Sequence, residues 1–187
     1  MRDGFFTASL EPKNTYMSAA SESWEFRLAA LWQSLPAQKP ERFREGIRRL
    51  VAELPDGAAV GLFELACAQD STGHSDLAVP LYRASLANGL SGLRRRRATI
   101  QLSSSLRNIG MSEQALSLLE TESLQPGDEL SSAVAAFRAL ALSDLGRERE
   151  ALGHALSALS THLPRYNASL GRYAAELLPS AGEEPAA

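Results

Sequence analysis

The amino-acid sequence predicts an all-α fold, a solenoid of antiparallel helix pairs with about three and a half units and a C-terminal capping helix. Aromatic residues make up only 6% of the chain, while alanine and leucine are abundant, and this composition favours helices over strands. Apolar residues also recur at helical spacing along most of the chain. One phrase occurs three times, around Gly73, Gly110 and Gly146. A period of about 34 to 37 residues predicts stacked helical units.

The helical domain is predicted to cover residues 21–178, between disordered segments at 1–20 and 179–187 that lack apolar periodicity. Within the domain, apolar stripes of helical spacing alternate with proline and glycine turn signals. In chain order, the elements are a divergent helical hairpin at 21–55, repeats at 57–90, 92–124 and 128–163, and a capping helix at 164–178.

Each repeated phrase predicts two helices joined by a tight turn. The glycine stands where the first helix must end, because glycine adopts the left-handed conformation that closes a helix at low cost. Small residues stand seven positions before each glycine and five positions after it, which lets the two helices approach closely. These positions are Ala66, Ser103 and Ala139 on the first helices, and Ala78, Ala115 and Ala151 on the second.

These units resemble tetratricopeptide repeats. The family pattern has a large residue and Leu-Gly on the first helix, a turn glycine, and then Ala, an aromatic residue and Ala on the second helix. In the first unit those places are taken by Leu62, Leu65, Ala66, Gly73, Ala78 and Tyr82. The phrases LAVPLYRASLANGL and HLPRYNASLGRYAAEL are similar in particular to the bacterial group 5 subset, whereas Gln69, Glu122 and Arg138 depart from the pattern. The resemblance implies a right-handed superhelix that serves as a non-catalytic protein-interaction scaffold.

The resemblance also implies a binding groove, because peptide contacts in such arrays come from first-helix positions on the concave surface. By register from the turn glycines, these positions are Phe63, Cys67, Asp70, Arg97, Ile100, Ser104, Arg107, Asn108, Ala136, Leu140 and Ser143. The middle of this stripe is polar and basic, and its flanks are apolar. Such a groove suits an extended or helical partner segment with an acidic centre, bound by Arg97 and Arg107. The alternative is an ordinary solvated surface.

The remaining features argue against catalysis, a cofactor or a metal. His74, His154 and His162 have no cysteine or acidic cluster at metal-ligand spacing beside them. The sequence contains no glycine-rich phosphate loop and no nucleophile motif. Because Cys67 is the single cysteine, no intramolecular disulfide can form, and a cytoplasmic location is expected. No apolar run reaches the roughly 18 residues of a membrane span, and no secretory signal is recognisable.

The run Arg94–Arg97 is the sharpest local feature of the sequence. Four cations near a helix start oppose the helix dipole, so the run could serve to grip an acidic peptide or a phosphate. The competing interpretation is that these side chains extend into solvent. Nucleic acid is a weaker alternative, because the formal net charge is −3 and no aromatic residues interleave with the run. Self-association, in which a second copy fills the groove or the open end, is a further alternative to a protein partner.

Overall fold

The computed structural model describes residues 19–179, with side chains described from Ser23 onward. Every regular element in this part of the chain is helical. The α-helices are α1 (Ala19–Gln33), α2 (Pro40–Val51), α3 (Ala59–Asp70), α4 (Ser75–Ala87), α5 (Gly92–Asn108), α6 (Ser112–Ser123), α7 (Ser131–Asp144), α8 (Glu148–Ser160) and α9 (Asn167–Ala175), with a short 3-10 helix at Leu35–Ala37. The predicted all-α repeat fold is confirmed.

The N-terminal helices α1 and α2 form a hairpin that precedes the three repeats. Trp24 in α1 donates its indole N–H to the Leu50 carbonyl oxygen of α2 at 2.8 Å. The same indole packs with Leu28, Phe43 and Ile47 in one buried cluster. Because α1 begins at Ala19, the disorder predicted for residues 1–20 is wrong at its last two residues. Residues 1–18 and 180–187, on which the rest of the disorder predictions fall, lie outside the described residues.

The helices pack in chain order, and the first helix of each unit lies on the inside of the stack. Each helix from α1 to α8 contacts the next α-helix along the chain. In addition, α3 contacts α5 and α5 contacts α7, whereas the second helices α4, α6 and α8 make no comparable contact with one another. Neighbouring first helices are therefore closer together, and the stack curves toward them. The concave surface formed by α3, α5 and α7 is called the inner face below.

The three turn glycines adopt one repeated geometry. Gly73, Gly110 and Gly146 have φ angles of +84°, +78° and +74°, in the left-handed region that favours glycine. The residue after each glycine donates its N–H back to the first helix. The pairs are His74 to Gln69 at 3.0 Å, Met111 to Leu106 at 2.9 Å and Arg147 to Leu142 at 2.9 Å. Each bond satisfies a carbonyl group left open at the end of the first helix, so the predicted turns are confirmed.

The small residues predicted at the helix joints are all buried. Ala66, Ala78, Ser103 and Ala115 have no exposed surface, and Ala139 and Ala151 are each 7% exposed. Between these joints, larger side chains that include Phe63, Tyr82, Leu106 and Leu142 form one core running through the three helix pairs. The alternation of small and large side chains therefore sets how closely neighbouring helices approach.

The last helix, α9, covers the end of the stack through a close approach to α8. A Cβ atom at the buried Gly153 of α8 would lie 2.7 Å from Leu178 Cδ2 and 3.1 Å from the Ala174 carbonyl oxygen. A larger residue at position 153 would therefore displace α9. None of the helices within residues 19–179 is both long enough and apolar enough to cross a lipid bilayer.

The joints provide a direct test of the packing. Replacing Ala78, Ala115 or Ala151 by leucine adds volume where no space exists, so each change should lower the free energy of unfolding by about 1–3 kcal/mol. Urea denaturation followed by circular dichroism measures this loss. The matched control is Ala30→Leu, because Ala30 is exposed on α1. Denaturation midpoints equal to the control for all three variants would contradict the close packing of the joints.

Candidate functional site

The arginine run at the start of α5 does not extend freely into solvent. Arg94 reaches α1 and donates two hydrogen bonds to the Glu25 carboxylate, at 2.9 and 2.6 Å. Its Nε atom also lies 3.5 Å from Glu64 Oε1 on α3. Arg94 thus connects three helices, and the solvated interpretation of this part of the run is wrong.

The buried carboxylate of Glu122 in α6 pairs with the next two arginines of the run. Glu122 is only 3% exposed. Arg95 Nη2 donates to its Oε2 at 2.8 Å, and Arg96 Nη1 donates to its Oε1 at 2.9 Å. Arg96 is itself buried, and its Nε lies 2.9 Å from Asp128 Oδ1 in the loop before α7. This cluster places the positive charges against carboxylates and offsets the unfavourable helix dipole.

Arg107, a predicted groove residue, is also engaged within the molecule. Its Nε and Nη2 donate to the Asp144 carboxylate at 2.6 and 3.0 Å, linking α5 to α7. This guanidinium holds the pKa of Asp144 below its ordinary value of 3.8. The expectation that Arg107 awaits an acidic partner is therefore corrected, because its planar fork already binds a carboxylate of the next unit.

Polar links at the ends of the first helices repeat from one unit to the next. A serine two positions after a turn glycine meets a residue two positions before the next turn glycine. Asn108 Nδ2 donates to Ser75 Oγ at 3.1 Å, and Ser112 Oγ donates to Asp144 Oδ2 at 3.2 Å. Asp70, another predicted groove residue, accepts a hydrogen bond from Ser105 at 2.8 Å. Asp70 and Asn108 therefore help to hold the units in register.

Three further predicted groove residues belong to the core. Phe63 is 0% exposed, Cys67 2% and Ile100 5%, so their side chains cannot serve as a contact surface for a partner. Arg97 covers the Phe63 ring, with its guanidinium carbon 5.4 Å from the ring centroid. Ile100 packs against Leu119 and neighbouring residues of α7. Register alone assigned these three side chains to the groove, and the packing of adjacent helices corrects that assignment.

The remaining predicted groove residues do lie at the surface. Ala136, Leu140 and Ser143 are exposed on α7, Arg97 is exposed on α5, and Ser104 is partly exposed. Leu140 is 46% exposed, which makes it an apolar side chain presented by a first helix. The ion pairs of the arginine run are made by its first three members. Arg97 has no carboxylate partner among residues 23–179.

A pocket of about 340 Å³ opens where α1 lies beside α3 and α5. It is called the inner pocket below. Its walls are formed by Glu25, Leu28, Ala29 and Trp32 of α1, Glu64, Cys67 and Ser71 from α3 and its end, and Arg94, Arg97 and Gln101 of α5. The pocket thus combines an apolar wall with charged and amide groups, the arrangement typical of specific binding sites.

Hydrogen bonds fix several of the side chains that line the inner pocket. Trp32 donates its indole N–H to Glu64 Oε2 at 2.8 Å. Burial raises the pKa of Glu64 above its ordinary value, while this hydrogen bond and the charges of Arg94 and Arg97 oppose the rise. The Cys67 thiol donates to Gln101 Oε1 at 3.4 Å, and burial raises its pKa to about 12. Cys67 is therefore a protonated donor at neutral pH rather than a reactive thiolate.

The sequence analysis did not assign most residues of the inner pocket. Glu64 and Gln101 stand at the same offset, nine positions before Gly73 and Gly110, so the repeat register could have pointed to both. Gln101 also follows Arg97 by four positions and shares its helix face. Glu25 and Trp32 gave no such signal, because α1 lies outside the register of the turn glycines.

The family model described as tetratrico peptide repeat, TPR_5, matches residues 59–177. The chain belongs to this tetratricopeptide repeat family. The match covers α3 to α9 and leaves the hairpin of α1 and α2 outside it. No curated protein and no solved structure matches the chain. Tetratricopeptide domains generally mediate protein–protein interactions and are typically non-catalytic.

Two departures from the tetratricopeptide pattern are explained by charge pairing. Glu122 is the partner of Arg95 and Arg96 described above. Arg138 in α7 lies 3.4 Å from Glu120 of α6 and 3.9 Å from Glu150 of α8, so it connects three helices. In this tetratricopeptide array, ion pairs between helices take places that the pattern fills with small or apolar residues. Within residues 19–179, no three side chains of the metal-ligating types come together.

The Glu122 cluster predicts a large loss of stability when its carboxylate is removed. Glu122→Gln leaves two arginines without their shared charge partner, so the free energy of unfolding should fall by about 3–5 kcal/mol. Glu129→Gln is the control, because Glu129 is exposed and its change should stay within about 0.5 kcal/mol. Chemical denaturation of both variants measures the difference. Equal stability of the two variants would mean that Glu122 does not neutralise the run.

The Arg107–Asp144 pair predicts a specific pH dependence. Because the pKa of Asp144 is lowered in the folded state, its contribution to stability is present above the ordinary pKa and disappears as the pH falls through the lowered value. The parent should therefore be more stable than Asp144→Asn at pH 7, by up to about 1 kcal/mol. The difference should close in acid, starting near pH 3.8.

Denaturant midpoints measured from pH 7 to pH 2.5 test this closure. Asp56→Asn is the control, since Asp56 is exposed in the turn before α3. A stability difference for Asp144→Asn that stays constant over the whole range would show that the pair is not ionic.

Proposed function

We propose that this tetratricopeptide protein is a non-catalytic scaffold that binds a segment of a partner protein along its inner face. The observation that carries the proposal is the exposure of Leu140, Ala136 and Ser143 on α7 together with Arg97 on α5. All four side chains come from first helices, which are the helices that form the inner face. Membership of a family whose domains generally mediate protein interactions supports the same conclusion.

The inner face is suited to binding because it is already ordered. The links from Arg107 to Asp144 and from Asn108 to Ser75 hold successive first helices in register. Most of the conformational entropy lost on binding is therefore lost by the partner segment, and the scaffold loses little. The α7 part of the surface offers small and apolar side chains, which favour apolar anchors on an extended or helical segment.

We also propose that the protein acts in the cytoplasm. Cys67 is a free, buried thiol, which is compatible with a reducing compartment. Nucleic-acid binding through Arg94–Arg97 is not supported in the same way, since Arg94, Arg95 and Arg96 are already paired with carboxylates. Self-association is the alternative, and the following experiment distinguishes it from binding of a different protein.

Two half-exposed leucines give a matched test of the inner face. Leu140 on α7 is 46% exposed and Leu152 on the second helix α8 is 50% exposed. Leu140→Asp should remove an apolar anchor and introduce a charge into the binding surface, whereas Leu152→Asp changes the opposite side. Affinity capture from a lysate of the source cells, with mass spectrometry, compares the parent with both variants. We expect proteins that the parent and Leu152→Asp retain and Leu140→Asp loses at least tenfold.

The outcomes separate the alternatives. If Leu140→Asp captures everything that the parent captures, the inner face is not the binding surface. If the only protein retained in a Leu140-dependent manner is the chain itself, the occupant is a second copy rather than a partner.

A further inference from the structure

The inner pocket has no role assigned to it so far, and its charged side chains differ in how many ion pairs and hydrogen bonds they make. Glu25 receives two hydrogen bonds from Arg94, at 2.9 and 2.6 Å. Glu64 accepts from Trp32 at 2.8 Å and lies 3.5 Å from Arg94. The two carboxylates thus share Arg94 as their ion-pair partner, and the charge of Arg97 also opposes the rise in the pKa of Glu64. Arg97 lines the same pocket and has no carboxylate partner in the part of the chain that the structure describes.

Arg97 is held in place without using its hydrogen-bond donors. Its guanidinium carbon lies 5.4 Å from the centroid of the Phe63 ring, a distance at which a cation is attracted to the face of an aromatic ring. This contact leaves the N–H donors of Arg97 without a hydrogen-bond partner among residues 23–179, so they are open to a ligand. An oriented guanidinium with open donors is suited to accept the two oxygens of a carboxylate.

Gln101 adds a second donor one helical turn beyond Arg97. The Cys67 thiol donates to Gln101 Oε1 at 3.4 Å, so the carbonyl side of the amide is turned toward this thiol. The NH₂ group of Gln101 is then directed away from Cys67 and can donate to a ligand. Because Cys67 is 2% exposed and stays protonated, this orientation is maintained at neutral pH.

From this arrangement we infer that the inner pocket binds an aspartate or glutamate side chain of the partner segment, with a neighbouring apolar side chain placed against Ala29 and Trp32. The inference deepens the proposed function and rests on it. The volume of about 340 Å³ is at the small end of the roughly 300–1,000 Å³ of ligand pockets, which fits side chains rather than a cofactor. The α1 wall of the pocket lies outside the residues matched by the family model.

The charges of the pocket favour a carboxylate over a phosphate. A phosphate group carries close to two negative charges at neutral pH and would meet the carboxylates of Glu25 and Glu64 in the same cavity. A single negative charge is repelled less by Glu25 and Glu64 than a double charge, and it can accept hydrogen bonds from Arg97, the pocket cation that makes no ion pair among residues 23–179. The occupant is therefore a carboxylate side chain, and a phosphorylated segment is an outcome that the experiment can reveal.

The test uses a display library of random twelve-residue peptides, selected on the immobilised full-length chain. Selected peptides should carry Asp or Glu beside a large apolar residue. Binding of one such peptide, measured by fluorescence polarisation, should weaken at least tenfold with Arg97→Gln. Replacing the peptide acid by its amide should weaken binding to the parent equally, and should cause little further loss with Arg97→Gln.

Matched variants exclude a general loss of structure. Arg83 is exposed on the second helix α4, and Arg83→Gln should leave peptide binding unchanged. Arg97→Lys keeps the charge but not the planar fork, so it should bind with intermediate affinity. Equal denaturation midpoints for the parent and all three variants establish that folding is intact. If Arg97→Gln is unfolded, Gln101→Leu replaces it, with an expected loss of at least threefold.

Several results would overturn the inference. Selected peptides without acids, or peptides that bind the Arg97→Gln variant as tightly as the parent, would contradict the assignment of the pocket. If such peptides still depended on Leu140 for binding, the proposed function would remain supported. Tighter binding of a phosphoserine peptide than of its glutamate counterpart would mean that the pocket binds a phosphate rather than a carboxylate. An Arg97-dependent dimer in light scattering would make a second copy the occupant. Peptides whose binding needs neither Arg97 nor Leu140 would contradict both proposals.

Discussion

The constraint on which the array depends most is the neutralisation of Arg94, Arg95 and Arg96 at the start of α5. This helix contacts α3, α4, α6 and α7, so it is the central element of the stack, yet its first turn concentrates positive charge where the helix dipole is also positive. The buried Glu122 and the carboxylates of Glu25 and Asp128 supply the opposing charges. Because those carboxylates come from α1, α6 and the α6–α7 loop, neutralising α5 also fixes the position of its neighbours.

The same pairing divides the cations of the molecule by role. Arg94, Arg95, Arg96 and Arg107 connect helices, and their charges are balanced inside the array. Arg97 is exposed, stacked on Phe63 and open toward the inner pocket. A run of four arginines in sequence is thus three residues paired with carboxylates of other elements, followed by one that makes no ion pair among residues 23–179. The positive charge that the run leaves at the surface is consequently local, and the run does not form a broad basic patch.

The sequence predicted the fold well because the fold rests on local, periodic rules. The turn glycines and the small residues at Ala66, Ala78 and Ala115 recur at fixed offsets, and helix joints need those sizes whatever the rest of the sequence is. The site was predicted less well, since register gives the face of a helix but not what covers it. Phe63 is buried because Arg97 and the neighbouring helices lie over it. The Glu25–Arg94 contact joins residues 69 positions apart, and no repeat offset relates them.

The most direct test of this account is the mobility of the arginine side chains, measured by NMR relaxation of Nε–Hε groups in the ¹⁵N-labelled full-length chain. The account predicts that Arg95, Arg96 and Arg107 are nearly as ordered as rigid backbone, with order parameters near about 0.85. Arg97 should be less ordered than these three and should gain order when an acidic peptide binds. If Arg95 and Arg96 were as mobile as the exposed Arg42, the division between structural and binding arginines would be contradicted.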